Sequence, residues 1–288
     1  MKKGISCIWS NWLIFVVLVF GIALVCNADD SCTAIYGNGA EEIIIATGSP
    51  GELGLLKVLA DEFSKKYSVR ICWKKAGSGK SLELLKNKKV DVIMVHAPSA
   101  EEKAIKKGWA KKRTLIGSNE FIIVGPKNDP AKIENAKNVI EAYKRIAKKK
   151  VLFLSRGDNS GTHKKELYIW KKAGIKPVGR WYIITNDFMM ATLKKANQIG
   201  GYFMVDSSTW IAAKKEMKNL KVLFRGDPML VNVYHAMRRS DISEQSYAVK
   251  FIDFLASEEG QKIIREYGTK NYCKPLYHDA AYAGQYDQ

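Results

Sequence analysis

The chain is 288 residues long, with 47 Lys and Arg against 29 Asp and Glu, a formal charge of +18. That balance calls for an anionic partner or a solvated basic surface, and the lysine-rich helical stretch 132–150 fits the second for each lysine taken singly. The cysteines form no CxxC and no His/Cys cluster, so no metal site is expected, and nucleic acid is not the partner expected of an exported protein.

Residues 1–28 read as a secretory signal peptide. Lys2 and Lys3 precede an uncharged apolar stretch, Trp12 to Cys26, and Cys26-Asn27-Ala28 offers small residues for cleavage. The stretch is shorter than the ~20 residues a membrane span needs. A lipid anchor at Cys26 is not expected, because Val25 is bulky. About 260 residues follow, enough for two domains, and of their cysteines Cys32, Cys72 and Cys273 one disulfide in any of three pairings, or none, is compatible with the sequence.

Downstream, β-rich apolar runs alternate with helical patterns. Strands are predicted at 42–47, 69–74, 90–95 and 120–124, with helices at 51–67, 81–87 and 99–107 between them. Ser49 and Glu52, and again Ser99 and Glu102, are spaced as capping boxes. A second set follows: helix 131–149, strand 151–154, helix 160–172, strand 180–184, helix 189–198, strand 202–205 and a short helix near Thr209. Strands 222–224 and 231–237 and helices 243–256 and 258–267 complete it. This alternation predicts an α/β fold with mostly parallel sheets flanked by helices.

Ligands of open α/β sheets bind beyond the carboxyl ends of strands. Three Gly/Ser/Thr-rich loops sit at such ends and open helices: 47–51, 76–81 and 155–162. A helix start presents unpaired N–H groups and a partial positive charge, a ready site for an anion. In the third loop, Arg156 adds a forked charged donor, and Ser160 and Thr162 add hydroxyls. Gly77-Ser78-Gly79-Lys80-Ser81 imitates a P-loop, but Lys74 stands where its first glycine is required. Asp158, Ser160 and His163 have the residue types of a hydrolase triad without a G-x-S-x-G elbow. Asp158 is expected to cap the helix or hold Arg156, and His163 to bond locally. His96, His235 and His278 are scattered and read as structural.

Taken together, Ala46-Thr47 through Gly54-Leu55-Leu56, Gly77-Ser78-Gly79, Asp91-Val92 through Val95-His96-Ala97-Pro98, Phe121 to Pro126, Ser155-Arg156-Gly157-Asp158 through Ser160-Gly161-Thr162-His163, Trp181-Tyr182, Ala191-Thr192-Leu193, Asp227-Pro228 and Asn232 through His235 carry a family likeness. The chain resembles the tungstate/molybdate-binding solute receptors of ABC importers, a branch of the two-lobed periplasmic binding proteins (type II). The resemblance implies one lobe from 29–124 plus 232–288, a second from 125–231, and an oxyanion in the cleft between them. It implies ligand contacts from Thr47, Ser49, Ser78, Arg156, Ser160, Gly161 and Thr162. It further implies a monomer that is periplasmic or on the cell surface, has no cofactor and no catalysis, and delivers tungstate to an ABC permease in the membrane. Gly48 and Pro50 stand in place of hydroxyl residues, Leu53 in place of a serine, Asn186 to Met190 in place of a glycine-rich stretch, and Asp206-Ser207-Ser208 in place of Asp-Arg-Gly. These departures leave the fold alone and bear on which anion is held. The alternatives are a phosphate or sulfate receptor of the same build, a secreted serine hydrolase using Ser160 and His163, and a basic surface protein that binds polyanions.

Overall fold

The structure, a computed structural model, describes residues 31–287. The expected signal peptide, with Cys26, lies outside them. The chain opens with a short edge strand, β1 (Ala34–Tyr36), and continues through β2 (Glu41–Thr47), α1 (Ser49–Glu52), α2 (Leu55–Tyr67), β3 (Val69–Lys75), α3 (Ser78–Lys86), β4 (Val92–Val95) and α4 (Pro98–Lys106). A long strand, β5 (Ala110–Pro126), leads to α5 (Val139–Lys149), β6 (Phe153–Ser155), α6 (Gly161–Lys172), β7 (Tyr182–Ile184), α7 (Met189–Ile199), β8 (Tyr202–Asp206), α8 (Ser207–Ala213) and β9 (Leu220–Phe224). The return strand β10 (Val231–Arg239) is followed by α9 (Tyr247–Ala256), α10 (Glu258–Glu266) and the short helices α11 (Thr269–Tyr272) and α12 (Ala280–Ala283).

The strands follow the order β1-β3-β2-β4-β10-β5-β8-β6-β7, with β9 also on β5. The sheet is mixed. β2 runs parallel to β3 and β4, and β6 parallel to β7 and β8, through helical crossovers. β10 is antiparallel to both β4 and β5, and β5 antiparallel to β8 and β9. The expected parallel units are thus present and are joined by antiparallel strands.

Hydrophobic burial separates along the chain. One core is built from residues between Phe121 and Leu230, with Tyr143, Phe153 and Trp170 among its largest members. A second lies on one face of the β2–β4–β10 region, where Ile43, Ile45, Val92, Met94 and Tyr234 meet Leu56, Phe63 and Phe251. The opposite face turns Ala46, Ile93, Val95 and Met237 onto Leu82, Leu85 and Ala104. Strands covered on both faces read as unbroken apolar runs, which is why they were visible in the sequence. β5 and β10 pair at Glu120 and Val231, where the chain leaves and re-enters the 121–230 core.

Three local expectations are corrected. The helix predicted from Gly51 to Tyr67 is two helices, because Gly54 adopts φ +87° and starts α2 afresh. Ser49 lies inside α1 and Gly48 is its cap, so no capping box forms with Glu52, whose carboxylate meets Lys75 Nζ at 2.6 Å. At α4 the reciprocal bond to the cap amide comes from Glu101, which accepts from Ala97 N–H at 2.6 Å, rather than from Glu102. Cys32 and Cys72 form the disulfide, tying the segment just before β1 to β3, and Cys273 is free and exposed. Among the described residues no helix is long and apolar enough to cross a membrane.

Candidate functional site

The three small-residue loops meet. A Cβ added to Gly77 would stand 3.1 Å from Ser160 Cβ, and one on Gly79 would stand 2.4 Å from the Asn159 carbonyl oxygen, so the α3 start lies directly against the α6 start. A Cβ on Gly48 would lie 3.4 Å from the Ala76 carbonyl oxygen, which brings the first loop to the second. The third loop is shaped by Gly157 at φ +68° and Asn159 at φ +57°, a conformation that glycine and asparagine tolerate best.

Hydroxyl and guanidinium donors gather at this junction. Ser160 caps α6 by accepting from His163 N–H at 3.3 Å, so its own hydroxyl proton remains available. Ser78 Oγ accepts from His96 N–H at 3.2 Å and likewise retains its proton. Thr162 Oγ1 is buried with no hydrogen-bond partner among the described residues. Arg156 is only 4 % exposed; its Nε donates to the Asp187 carbonyl, one Nη donates to Asp158, and its Cζ lies over the Phe188 ring, 5.8 Å from the centroid. Gly161 and Thr162 present first-turn amides of α6 beside it.

The other expected contacts are placed differently. Thr47 Oγ1 donates to the Met94 carbonyl at 2.9 Å, and its own carbonyl accepts from Trp73 Nε1, so Thr47 braces the start of its loop. Ser49 Oγ points at Asp206 Oδ2, a long contact of 3.5 Å. Lys80, the P-loop mimic, is exposed and pairs with Glu83. Ser160 and His163 are not arranged as a nucleophile and base, since the His163 ring accepts from Asn159 N–H at 3.1 Å and Asp158 engages Arg156.

Residues that sequence reasoning missed complete the surroundings. His96, read as structural, follows β4, and its ring packs against Gly161, where a Cβ would come within 2.5 Å of Cε1. Burial and the Arg156 guanidinium push its pKa down to about 3, so it is neutral. Its Nδ1 lies 2.8 Å from Asn232 Oδ1; Asn232 Nδ2 donates to Asn119 Oδ1 at 2.7 Å; Asn119 Nδ2 donates to Ser208 Oγ at 2.8 Å and to Asp206 Oδ1 at 3.4 Å. A carboxylate only accepts, so the direction of each amide follows from Asp206, and His96 carries its proton on Nδ1. The missed signal was available: His96 and Asp206 both end apolar strands at the sheet edge already singled out for the three loops. His235 is structural as expected, being fully buried between Glu101 and Asp287.

Behind the site, Glu166 on α6 is 2 % exposed and accepts from Tyr182 Oη at 2.7 Å and Trp170 Nε1 at 3.2 Å. Burial pushes it up to about 7 from the usual 4.5. Between those values the folded protein binds more protons than the unfolded chain, so this group makes stability fall as pH rises, by about 2–3 kcal/mol over the window. Glu166→Gln keeps the acceptor and loses the titration. Its unfolding free energy in denaturant titrations should therefore gain on the wild type from pH 5 to 8, and parallel pH profiles would reject the argument.

Residues 33–259 match the family model described as a PBP superfamily domain. The tungstate-binding protein TupA of Peptoclostridium acidaminophilum is 34 % identical over 242 residues, covering 82 % of this chain and 84 % of that protein. A putative ABC transporter anion-binding protein of Haloferax volcanii is 35 % identical over 252 residues, covering 84 % of this chain and 73 % of that protein. The crystal structure of the tungstate ABC transporter from Geobacter sulfurreducens superposes with a TM-score of 0.70 at 38 % identity, covering 80 % of this chain and all of that one. The chain belongs to the PBP superfamily and, within it, to the family of the tungstate-binding protein TupA.

Proposed function

We propose that the protein is an extracytoplasmic receptor that captures a tetrahedral oxyanion, tungstate and also molybdate, and delivers it to an ABC permease. In this reading 29–124 with 232–288 forms one lobe, 125–231 the other, and β5 and β10 are the crossings. The observation that carries it is the convergence of Ser78, Ser160, Thr162 and Arg156, each at most 4 % exposed: the Ser78 and Ser160 hydroxyls accept from N–H groups and keep their protons, Thr162 Oγ1 has no partner among the described residues, and the Arg156 fork has more N–H groups than the Asp187 carbonyl and Asp158 take up. Tungstate at neutral pH carries no proton, so it matches a site made of donors. Each neutral donor contributes about 0.5–1.5 kcal/mol net and a charged one about 1.5–3. At those values the four side chains supply about 3–7.5 kcal/mol, and the first-turn amides of Gly161 and Thr162 carry the total towards the ~12 kcal/mol of nanomolar binding. Ser49 joins them when its hydroxyl turns from Asp206 to the ligand, and Thr47 acts through the loop it braces. The protein works as a monomer in the periplasm or on the cell surface, without cofactor and without turnover, closure of the lobes signalling occupancy to the permease.

A calorimetric competition among tungstate, molybdate, sulfate and phosphate tests this reading. Tungstate and molybdate are expected to bind tightest. Glu52 and Asp158, acceptors that suit protonated phosphate, are already paired with Lys75 and Arg156. No heat with any tetrahedral oxyanion would refute the receptor reading, and tightest binding of phosphate or sulfate would reassign its ligand.

A further inference from the structure

Asp206 stands at the end of β8, 1 % exposed, and its two oxygens differ. Oδ1 accepts from Thr209 N–H at 2.8 Å and from Asn119 Nδ2 at 3.4 Å. Neither donor can reverse: one is a backbone amide, and the other is held in direction by Asn232 and Ser208. Oδ2 accepts from Thr209 Oγ1 at 2.8 Å and faces Ser49 Oγ at 3.5 Å. Both of these are hydroxyls, which can donate or accept. A proton on Asp206 is therefore accommodated on Oδ2, and the Oδ1 side stays as it is.

Ser49 has a single proton. While Asp206 is ionised, that proton points at Oδ2 and the ligand would face only lone pairs. We infer that Asp206 takes up a proton from solvent when an oxyanion dianion enters the cleft, the proton bonding Oδ2 and turning the Ser49 hydroxyl towards the ligand, and that it returns the proton on release. Asp206 is in this sense a positioning residue that sets the number of donors the site offers, and the inference rests on the receptor reading above.

The surroundings favour the uptake. Burial already holds the Asp206 carboxyl above its ordinary range, opposed by the two Thr209 bonds and by Arg156 and reinforced by Glu52. Arg156 and Glu52 are each paired, with Asp158 and Lys75. Tyr234 and Tyr277, also within electrostatic reach, stay protonated, because burial raises both, and His96 stays neutral. A bound dianion adds negative charge in the same low-dielectric region and draws the Arg156 field to itself, so the cheapest response is to neutralise Asp206, the buried carboxylate that faces Ser49.

Calorimetry of the wild type with tungstate, over about pH 6.5–8.5 in two amine buffers of different ionisation heat, reads the proton directly. Net uptake of up to one proton per tungstate is expected, with affinity falling by up to about tenfold per pH unit as pH rises. Asp206→Asn keeps Oδ1 for both N–H bonds and presents Nδ2 to Ser49, as the protonated acid would. It should bind tungstate with no proton uptake and a flat pH profile. Glu166→Gln removes the other carboxyl that burial holds up and should leave the uptake unchanged. Wild-type binding without proton uptake overturns the inference, whether or not Asp206→Asn folds; so does uptake that survives in Asp206→Asn. Absence of wild-type heat at every pH is a separate result, and it counts against the receptor reading itself.

Discussion

Arg156→Ala is expected to weaken tungstate binding by about a hundredfold or more, the equivalent of roughly 3 kcal/mol. Two effects add. The substitution removes the only guanidinium at the loop junction, whose bonds to an anion are of the charge-assisted kind. It also leaves Asp158, now bonded to Arg156 and to Ser160 N–H, as an unpaired carboxylate facing the place the anion would occupy. The fold should survive, because Arg156 is not part of the 121–230 core and the Asp158 side chain, 19 % exposed, can be hydrated. Arg156→Lys is expected to fall between, since an ammonium cannot reach Asp158, the Asp187 carbonyl and the ligand with one planar fork. Titration calorimetry alongside circular dichroism checks both. Unchanged affinity in a folded Arg156→Ala protein would remove Arg156 from the site.

Gly161→Ala is the second large effect, and it tests convergence instead of charge. The new Cβ would stand 2.5 Å from His96 Cε1, 2.6 Å from Nδ1 and 2.6 Å from the His96 carbonyl oxygen. A side chain can turn away from such a clash, but a carbonyl in line with β4 cannot. Overpacking of this kind costs about 1–3 kcal/mol. In the two-lobed reading proposed above, His96 follows β4 of one lobe and Gly161 opens a helix of the other, so the cost falls on closing the lobes. Tungstate affinity should drop by about ten- to a hundredfold, following that energy, while thermal stability without ligand changes less. Gly48→Ala, whose Cβ meets only an ordinary contact at 3.4 Å, is the matched control and should bind nearly as the wild type does. Equal affinities for all three proteins would mean that the loop junction is not where the anion sits.

Particular elements show where sequence reasoning succeeded and where it stopped. The helix after Ser160 was readable because its cap, its glycine and its amphipathic continuation are local and agree. The first half of β5 was not: Lys111, Lys112, Arg113 and Thr114 look like a polar loop, yet Lys111 and Thr114 pair with β10 on either side of a register shift at Lys112 and Arg113, with Lys112 at φ +56°. Strand pairing depends on a partner more than a hundred residues away, and polar side chains do not announce it. The break at Gly54 was missed because an apolar period continues across it, and only the backbone angle reveals the restart. His96 was set aside because a lone histidine after a strand has no distinguishing neighbours in sequence. Its partners Asn232 and Gly161 come from distant parts of the chain.

The order of residues alone determined the α/β alternation, the loops at strand ends and the residue types able to hold an anion. These depend on period, caps and glycine, all set within a few positions of one another. Which of those residues still have a proton to give was decided only in three dimensions. Thr47 donates its proton in a hydrogen bond to the Met94 carbonyl, Ser49 turns towards Asp206, and Ser78, Ser160 and Thr162 keep theirs for another partner. A hydroxyl has one hydrogen, and where it goes depends on which acceptor the rest of the molecule brings within reach.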